Sequence, residues 1–171
     1  MTKSDALNWK LWLVISVAVF ALDQYTKWLV ISNFTLGHSQ EVVSFFNLVR
    51  VHNYGAAFSF LSDQPGWQRW FLLVVTSIIS IVLLVWVTRL KQHQTLLATA
   101  LVLILGGAFG NLYDRAVYGY VVDFIDWHYA GYHWPAFNIA DAAISCGAVL
   151  LIIDTIINGE DSTKKTESEA A

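Results

Sequence analysis

The sequence predicts an all-α membrane protein, with four transmembrane helices and a small β cradle and loops on their outer side. Two observations carry that prediction: the composition, and the number of long apolar runs. Of 171 residues, 56% are hydrophobic and only 13% are charged, with a mean hydropathy of +0.52. A typical soluble domain carries about 25% charged residues, so this chain is too apolar for a surface that faces water throughout. The formal net charge of −3 is small and gives no sign of a nucleic-acid partner.

A spanning helix needs about 20 mostly apolar residues. Four runs meet that length: 11–30, 70–88, 95–113 and 136–157. The first follows Lys3 and Lys10, as the core of a signal peptide would. However, no A-x-A cleavage site follows, and apolar residues continue through Trp28, Leu29 and Val30, so a retained anchor is expected. The four spans make a single domain over 1–158. Residues 159–171, "GEDSTKKTESEAA", are small, polar and charged, and read as a disordered tail.

Orientation follows from Lys and Arg. With four spans, the termini and the 89–94 loop share one side. That side holds Lys3, Lys10, Arg89, Lys91, Lys164 and Lys165. Arg50, Arg69 and Arg115 fall on the other, with Lys27 at the edge of the first span. The termini are therefore expected in the cytoplasm, with the connections 31–69 and 114–135 outside. Trp12, Trp28, Trp70, Trp86 and Trp134 sit near span ends, as an aromatic belt requires.

In the outer connections, residues 41–51 are rich in β-branched and aromatic types and read as a strand. Residues 52–61 suit a second strand or a short interfacial helix, and 120–125 a further strand. The single cysteine, Cys146, lies in "SCGA", a run of small residues suited to close helix packing. All five histidines lie outside the apolar runs, so a thiol nucleophile is not expected.

Ionisable residues inside a membrane are costly and point to function or to a partner. Asp23 and Lys27 are four apart on one helix face and suit a structural ion pair or a pair that positions a substrate or headgroup, with Lys27 free to snorkel outward. Asn111 and Arg115 are also four apart, at the outer end of the third run, and Asp114 suits a counter-ion to Arg115. Asp141 lies about 8 Å inside the fourth run, at the membrane surface layer. Asn138, three residues earlier, can hydrogen-bond it. Asp123, in "YVVDFID", is the candidate partner, because its apolar flanks are not what a merely solvated aspartate needs. Asp126, beside Trp127 and His128, reads as a wet loop residue.

Two aspartates brought together cannot both ionise readily and come to share a proton. One then activates water and the other polarises a carbonyl, which is aspartic-peptidase chemistry without metal or cofactor. Spacing alone also leaves open a proton-coupled transporter and an assembly subunit. The transporter would want carboxylates near the midplane and usually internal repeats.

Five blocks decide among these: "DQYTK" (23–27), "HNYGAAFSF" (52–60), "GGAFGNLYDR" (106–115), "VVDFID" (121–126) and "FNIADAAI" (137–144). In this order the chain resembles the lipoprotein signal peptidase (signal peptidase II) family over about residues 11–157. Phe109 stands where Leu is commoner in that family. The resemblance implies a bacterial inner-membrane aspartic endopeptidase that acts on diacylglyceryl-modified prolipoproteins, cleaves just before the lipid-modified cysteine, and is inhibited by the cyclic peptide globomycin. It implies Asp123 and Asp141 as the catalytic pair, Asn53, Asn111, Arg115 and Asn138 as substrate-orienting residues, and Asp23, Lys27 and Asp114 as support. It further implies a monomer in contact with membrane lipids, with its active site facing the periplasm and no cofactor. Phe58, Phe60, Trp127 and Tyr129 are expected to close over the site as a lid.

Overall fold

The computed structural model describes residues 6–56 and 60–169, with side chains described to Asn158. Phe58 of the expected lid lies outside the described residues, as do the tail's side chains and its last two positions. The element order is α1 (Trp9–Asn33), β1 (Ser39–Val43), β2 (Phe46–Asn53), α2 (Trp67–Thr88), α3 (Thr95–Val117), β3 (Val121–Tyr129), β4 (Tyr132–His133) and α4 (Ile139–Glu169). The four helices are long and apolar enough to cross a membrane, α4 over Ile139–Asn158. The fold class predicted from the sequence is therefore the one observed.

α3 is the central helix and packs against the other three. Its residues Ala98, Leu101, Val102 and Leu105 are fully buried, in a core shared with Leu83 and Val87 of α2. The other helices turn apolar side chains outward, including Val14 and Val17 on α1, Ile78 and Val82 on α2, and Val149 and Ile152 on α4. Such faces are stable only against lipid, where no hydrophobic force draws them inward.

Close approach to α3 depends on its glycines. A Cβ at Gly107 would overlap the carbonyl oxygen of Ala140 on α4, and one at Gly110 would stand 2.5 Å from Oδ2 of Asp23 on α1. In "SCGA" it is Gly147 that packs, against Ala100 and Ile104, while Cys146 is exposed on the outer surface of the bundle. The expected packing role belongs to its neighbour.

One end of the bundle carries an antiparallel sheet in the order β1-β2-β3-β4. The run 41–51 is not one strand. It folds back at Ser44 and Phe45, pairing Val43 with Phe46. β2 ends at Asn53, and among the described residues 54–56 and 60–66 are loop, bend and turn. β3 continues to Tyr129, past the predicted end at 125, and β2 lies beside it with Val51 opposite Asp123. After β4 the chain runs back along β3, where Phe137 exchanges hydrogen bonds with Ile125. That return path delivers the start of α4 to the flank of Asp123.

Two arginines join the sheet end to the helices. Arg50 Nη1 donates to the carbonyls of Ile31 (3.2 Å) and Phe34 (2.7 Å), where α1 ends. Arg69 donates to the carbonyls of Arg115 and Ala116, both at 2.9 Å, where α3 ends. A cation there satisfies carbonyls that lack helical partners and complements the negative end of the helix dipole.

Gly107→Ala is expected to destabilise the protein by about 1–3 kcal/mol through overpacking. The measurement is thermal unfolding in detergent, with Cys146→Ala, on the outer face, as the near-neutral comparison.

Candidate active site

Asn138 caps α4. Its Oδ1 accepts the backbone N–H of Asp141 at 2.9 Å, and its own backbone N–H donates to Asp141 Oδ2 at 3.2 Å. This is a reciprocal capping box with aspartate in the third helical position. It places Asp141 in the first turn of α4, at the boundary of the spanning segment.

The amide of Asn138 reaches the other way as well. Its Nδ2 donates to Oδ1 of Asp123 at 2.7 Å. One asparagine thus contacts both aspartates, one from β3 and one from α4. Asn53 Nδ2 donates to the second oxygen of Asp123 at 3.0 Å, while Asn53 Oδ1 accepts the backbone N–H of Gly55 at 2.9 Å. Asn111 Nδ2 donates to Asp141 Oδ1 at 2.7 Å. Every oxygen of the two carboxylates therefore receives an N–H.

Behind this layer lies a buried ion cluster. Lys27 Nζ stands 2.8 Å from Asp23 Oδ2, 2.9 Å from Asp114 Oδ2 and 3.1 Å from Asn111 Oδ1. Lys27 does not snorkel to the interface. Its side chain is 2% exposed, because two carboxylates inside the bundle supply better partners than the headgroup layer. Asp114 is accordingly the counter-ion of Lys27 and makes no ion pair with Arg115. Asp23 also accepts the backbone N–H of Ala140 at 2.9 Å, and Asp114 that of Val122 at 3.2 Å. The cluster ties α1 and α3 to the two chain segments that hold Asp141 and Asp123.

Arg115 donates from Nη2 to the carbonyl of Gly55 (2.7 Å) and from Nη1 to that of Asn111 (3.3 Å). It holds the loop that follows β2 against α3. All nine residues singled out from the sequence meet in this one region. Two residues escaped that reading. Gln24 Nε2 donates to Asp114 Oδ1 at 2.9 Å, and Arg69 secures the end of α3. Gln24 was visible as a second polar group beside Asp23 in an apolar run. Asp126 is not a wet loop residue. It lies in β3, 8% exposed, accepting Asn47 Nδ2 at 2.8 Å and facing His133 Nδ1 at 2.9 Å. Partial burial pushes its carboxyl upward, but the His133 and Asn47 contacts prevail and hold it below the ordinary value. It makes no contact with the Asp123 cluster.

Asp123 behaves in the opposite way. Burial, and next the neighbouring charge of Asp141, push its carboxyl from 3.8 to about 7, against the hydrogen bonds of Asn53 and Asn138. A carboxyl that stays protonated near neutrality beside a second carboxylate is the arrangement general acid–base chemistry uses. Among the described residues, no three His, Cys, Asp or Glu side chains converge as a metal ion would need.

Comparison with known proteins identifies the family. The family model described as Signal peptidase (SPase) II matches residues 15–157. The chain belongs to the signal peptidase II family. A relative from Alteromonas mediterranea, named lipoprotein signal peptidase, is 50% identical over 156 residues, covering 91% of this chain and 86% of its own. One of the same name from Cellvibrio japonicus is 46% identical over 170 residues, 99% of this chain and all of its own. A solved bacterial membrane enzyme superposes with a TM-score of 0.82 at 33% identity, covering 92% of this chain and 94% of that one. The chain is thus a membrane protease of that family.

The two duties of Asn138 can be separated. Asn138→Ala removes the cap and is expected to cost about 1 kcal/mol of stability together with activity. Asn138→Ser keeps a capping oxygen but loses the amide that reaches Asp123. It is expected to unfold near the parent temperature and still lose peptidase turnover, both measured on purified protein.

Proposed function

We propose that this signal peptidase II removes the signal peptide from diacylglyceryl-modified prolipoproteins, cutting just before the lipid-modified cysteine, with Asp123 and Asp141 as its catalytic pair. The observation that carries the proposal is Asn138, whose single side chain and backbone contact a strand carboxylate and a helix carboxylate together. The membrane relatives named lipoprotein signal peptidase supply the substrate class.

The chemistry follows from the pair sharing one proton. The ionised carboxylate takes a proton from water as the water oxygen bonds to the scissile carbonyl carbon. The protonated carboxyl gives its proton to the carbonyl oxygen, and a neutral gem-diol results. Collapse returns one proton to a carboxylate, passes another to the departing amine and breaks the C–N bond. Neither metal nor acyl-enzyme is required.

Depth sets the specificity. Asn111 and Arg115 lie in the last two turns of α3, and Asp141 in the first turn of α4. The pair therefore stands at the membrane boundary. A cysteine whose diacylglyceryl tails lie in the bilayer is held at that level, which replaces a search in three dimensions with a fixed approach. Arg115, Asn53 and Asn111 orient the substrate backbone in this reading, and Asp23, Lys27 and Asp114 hold the frame. The excess of basic residues beside the termini and the 89–94 loop supports cytoplasmic termini and a site open to the periplasm of a bacterial inner membrane. Globomycin, a substrate-like cyclic peptide, would block the pair, and a monomer suffices because one chain supplies both aspartates.

Asp123→Asn and Asp141→Asn are each expected to abolish cleavage of a lipid-modified precursor while membrane insertion and thermal unfolding stay near parental. Normal processing by either variant refutes the pair. The pH dependence has a definite sign. One carboxyl of the pair must carry a proton, and that of Asp123 is raised to about 7, so kcat/KM is expected to decline as pH rises through about 7. A rate that climbs steadily from pH 6 to 9 would contradict it.

A further inference from the structure

Three asparagines present N–H groups to the aspartates, and each is keyed by a group that can only donate. Asn53 Oδ1 accepts the backbone N–H of Gly55, Asn138 Oδ1 that of Asp141, and Asn111 Oδ1 the ammonium of Lys27. A donor on the amide oxygen forces the amide nitrogen to the other side, toward the carboxylates. Only Asn111 is keyed by a charge. We propose that Lys27 is a positioning residue that acts through Asn111 to make Asp141 the ionised, water-activating carboxylate, leaving the shared proton on Asp123.

The inference rests on the aspartic pair proposed above and assigns its two roles. Asp141 and Asp123 receive equal numbers of N–H donors but differ in two respects. First, Asp141 sits in the first turn of α4, where the positive end of the helix dipole favours an anion, whereas Asp123 sits on a strand with no such field. Second, the Asn111 amide that donates to Asp141 is polarised by an ammonium on its oxygen, which strengthens its N–H as a donor. The amides facing Asp123 have only neutral backbone donors behind them.

The charged groups that act on Asp123 are Asp141 from α4, Lys27 from α1 and Arg115 from α3, and Asp114 of α3 reaches the backbone N–H of the preceding Val122. Lys27 is neutralised at close range by Asp23 and Asp114. Its field reaches Asp123 as the smallest of the effects on that carboxyl, whereas the Asn111 hydrogen bond carries its influence to Asp141 alone. In the water-adding step, Asp141 then takes the proton from water and Asp123 donates to the carbonyl oxygen.

Removing Lys27 alone would leave Asp23 and Asp114 facing each other. The informative variant is the double substitution Lys27→Met with Asp114→Asn. It keeps a single net negative charge in the cluster, and Asp23 keeps the N–H groups of Ala140 and Gln24. Cleavage of a lipid-modified precursor is expected to lose kcat on the order of 100-fold, the scale of a displaced catalytic group, with KM little changed. The second measurement is carbon-13 NMR of protein labelled at the aspartate carboxyls, with resonances assigned by Asp123→Asn and Asp141→Asn. At about pH 6, a unit below the value for Asp123, the parent is expected to show Asp123 as carboxylic acid and Asp141 as carboxylate. In the double variant the two resonances should draw together. A parent with the proton on Asp141 overturns the assignment, as does a double variant with parental kcat and parental shifts. If the double variant does not fold, the parental spectrum still decides where the proton lies. Cleavage by either single asparagine variant would instead overturn the pair itself, and this inference with it.

Discussion

Lys27 is an ammonium buried in the bundle interior, 1% exposed. Its nearest partners are Asp23 on its own helix, and Asp114 and Asn111 on α3. Each partner carries the constraint further. Asp23 accepts the N–H of Ala140 in the first turn of α4, and Asp114 accepts the N–H of Val122 in β3. A buried charge left without partners costs several kcal/mol, so these contacts form together or not at all. Asp123 is the residue after Val122, and Asp141 the residue after Ala140. The ion cluster thus fixes the backbone one position away from each carboxylate.

The cluster also explains why glycine sits where it does on α3. Gly107 and Gly110 face Ala140 and Asp23, so α1 and α4 can approach closely enough for a short aspartate to reach a backbone N–H on the neighbouring helix. Longer acids could span a wider gap, but with more rotamers to freeze. The polar site is consequently rigid on three sides, formed by α1, α3 and α4. On the fourth side, the sheet and the loop after β2 meet it through Asn53 and through the carbonyl of Gly55 held by Arg115.

Much of this was legible in the sequence because the membrane makes polar residues conspicuous. Four apolar runs gave four spans, and each charged or amide group inside them stood out against hydrocarbon. Tertiary choice was harder to read. Whether Lys27 snorkels or stays inside depends on Asp114, a residue distant in sequence, and no local pattern encodes that pairing. The hairpin turn at Ser44 and Phe45 lacks the Gly or Asn that usually marks such a turn, so β1 and β2 read as one strand. Asp126 read as solvated because Asn47 and His133, which satisfy it, come from two other strands. Asn138 was seen as a neighbour of Asp141. Its second contact, with Asp123, needed the return of the chain along β3.

The same contrast bears on how a soluble-looking reaction works at a membrane surface. Peptide hydrolysis needs water, whereas a carboxylate pair needs partial burial to share a proton near neutrality. A site at the midplane would satisfy the second condition and starve the first, and a site on an exposed loop would do the reverse. Here the helix boundary provides both. Asp123 is 2% exposed on the strand side, and Asp141 stands in the first turn of α4, where the positive end of the helix dipole supports its charge. If Asp141 is one of the proposed pair, the capping box serves the chemistry as well as the fold. The contacts that start α4 are the same ones that orient its carboxylate, so the helix cannot shift along its axis without misdirecting Asp141. That coupling gives a physical reason for the proposed pair to lie at the first turn of the last span rather than deeper within it.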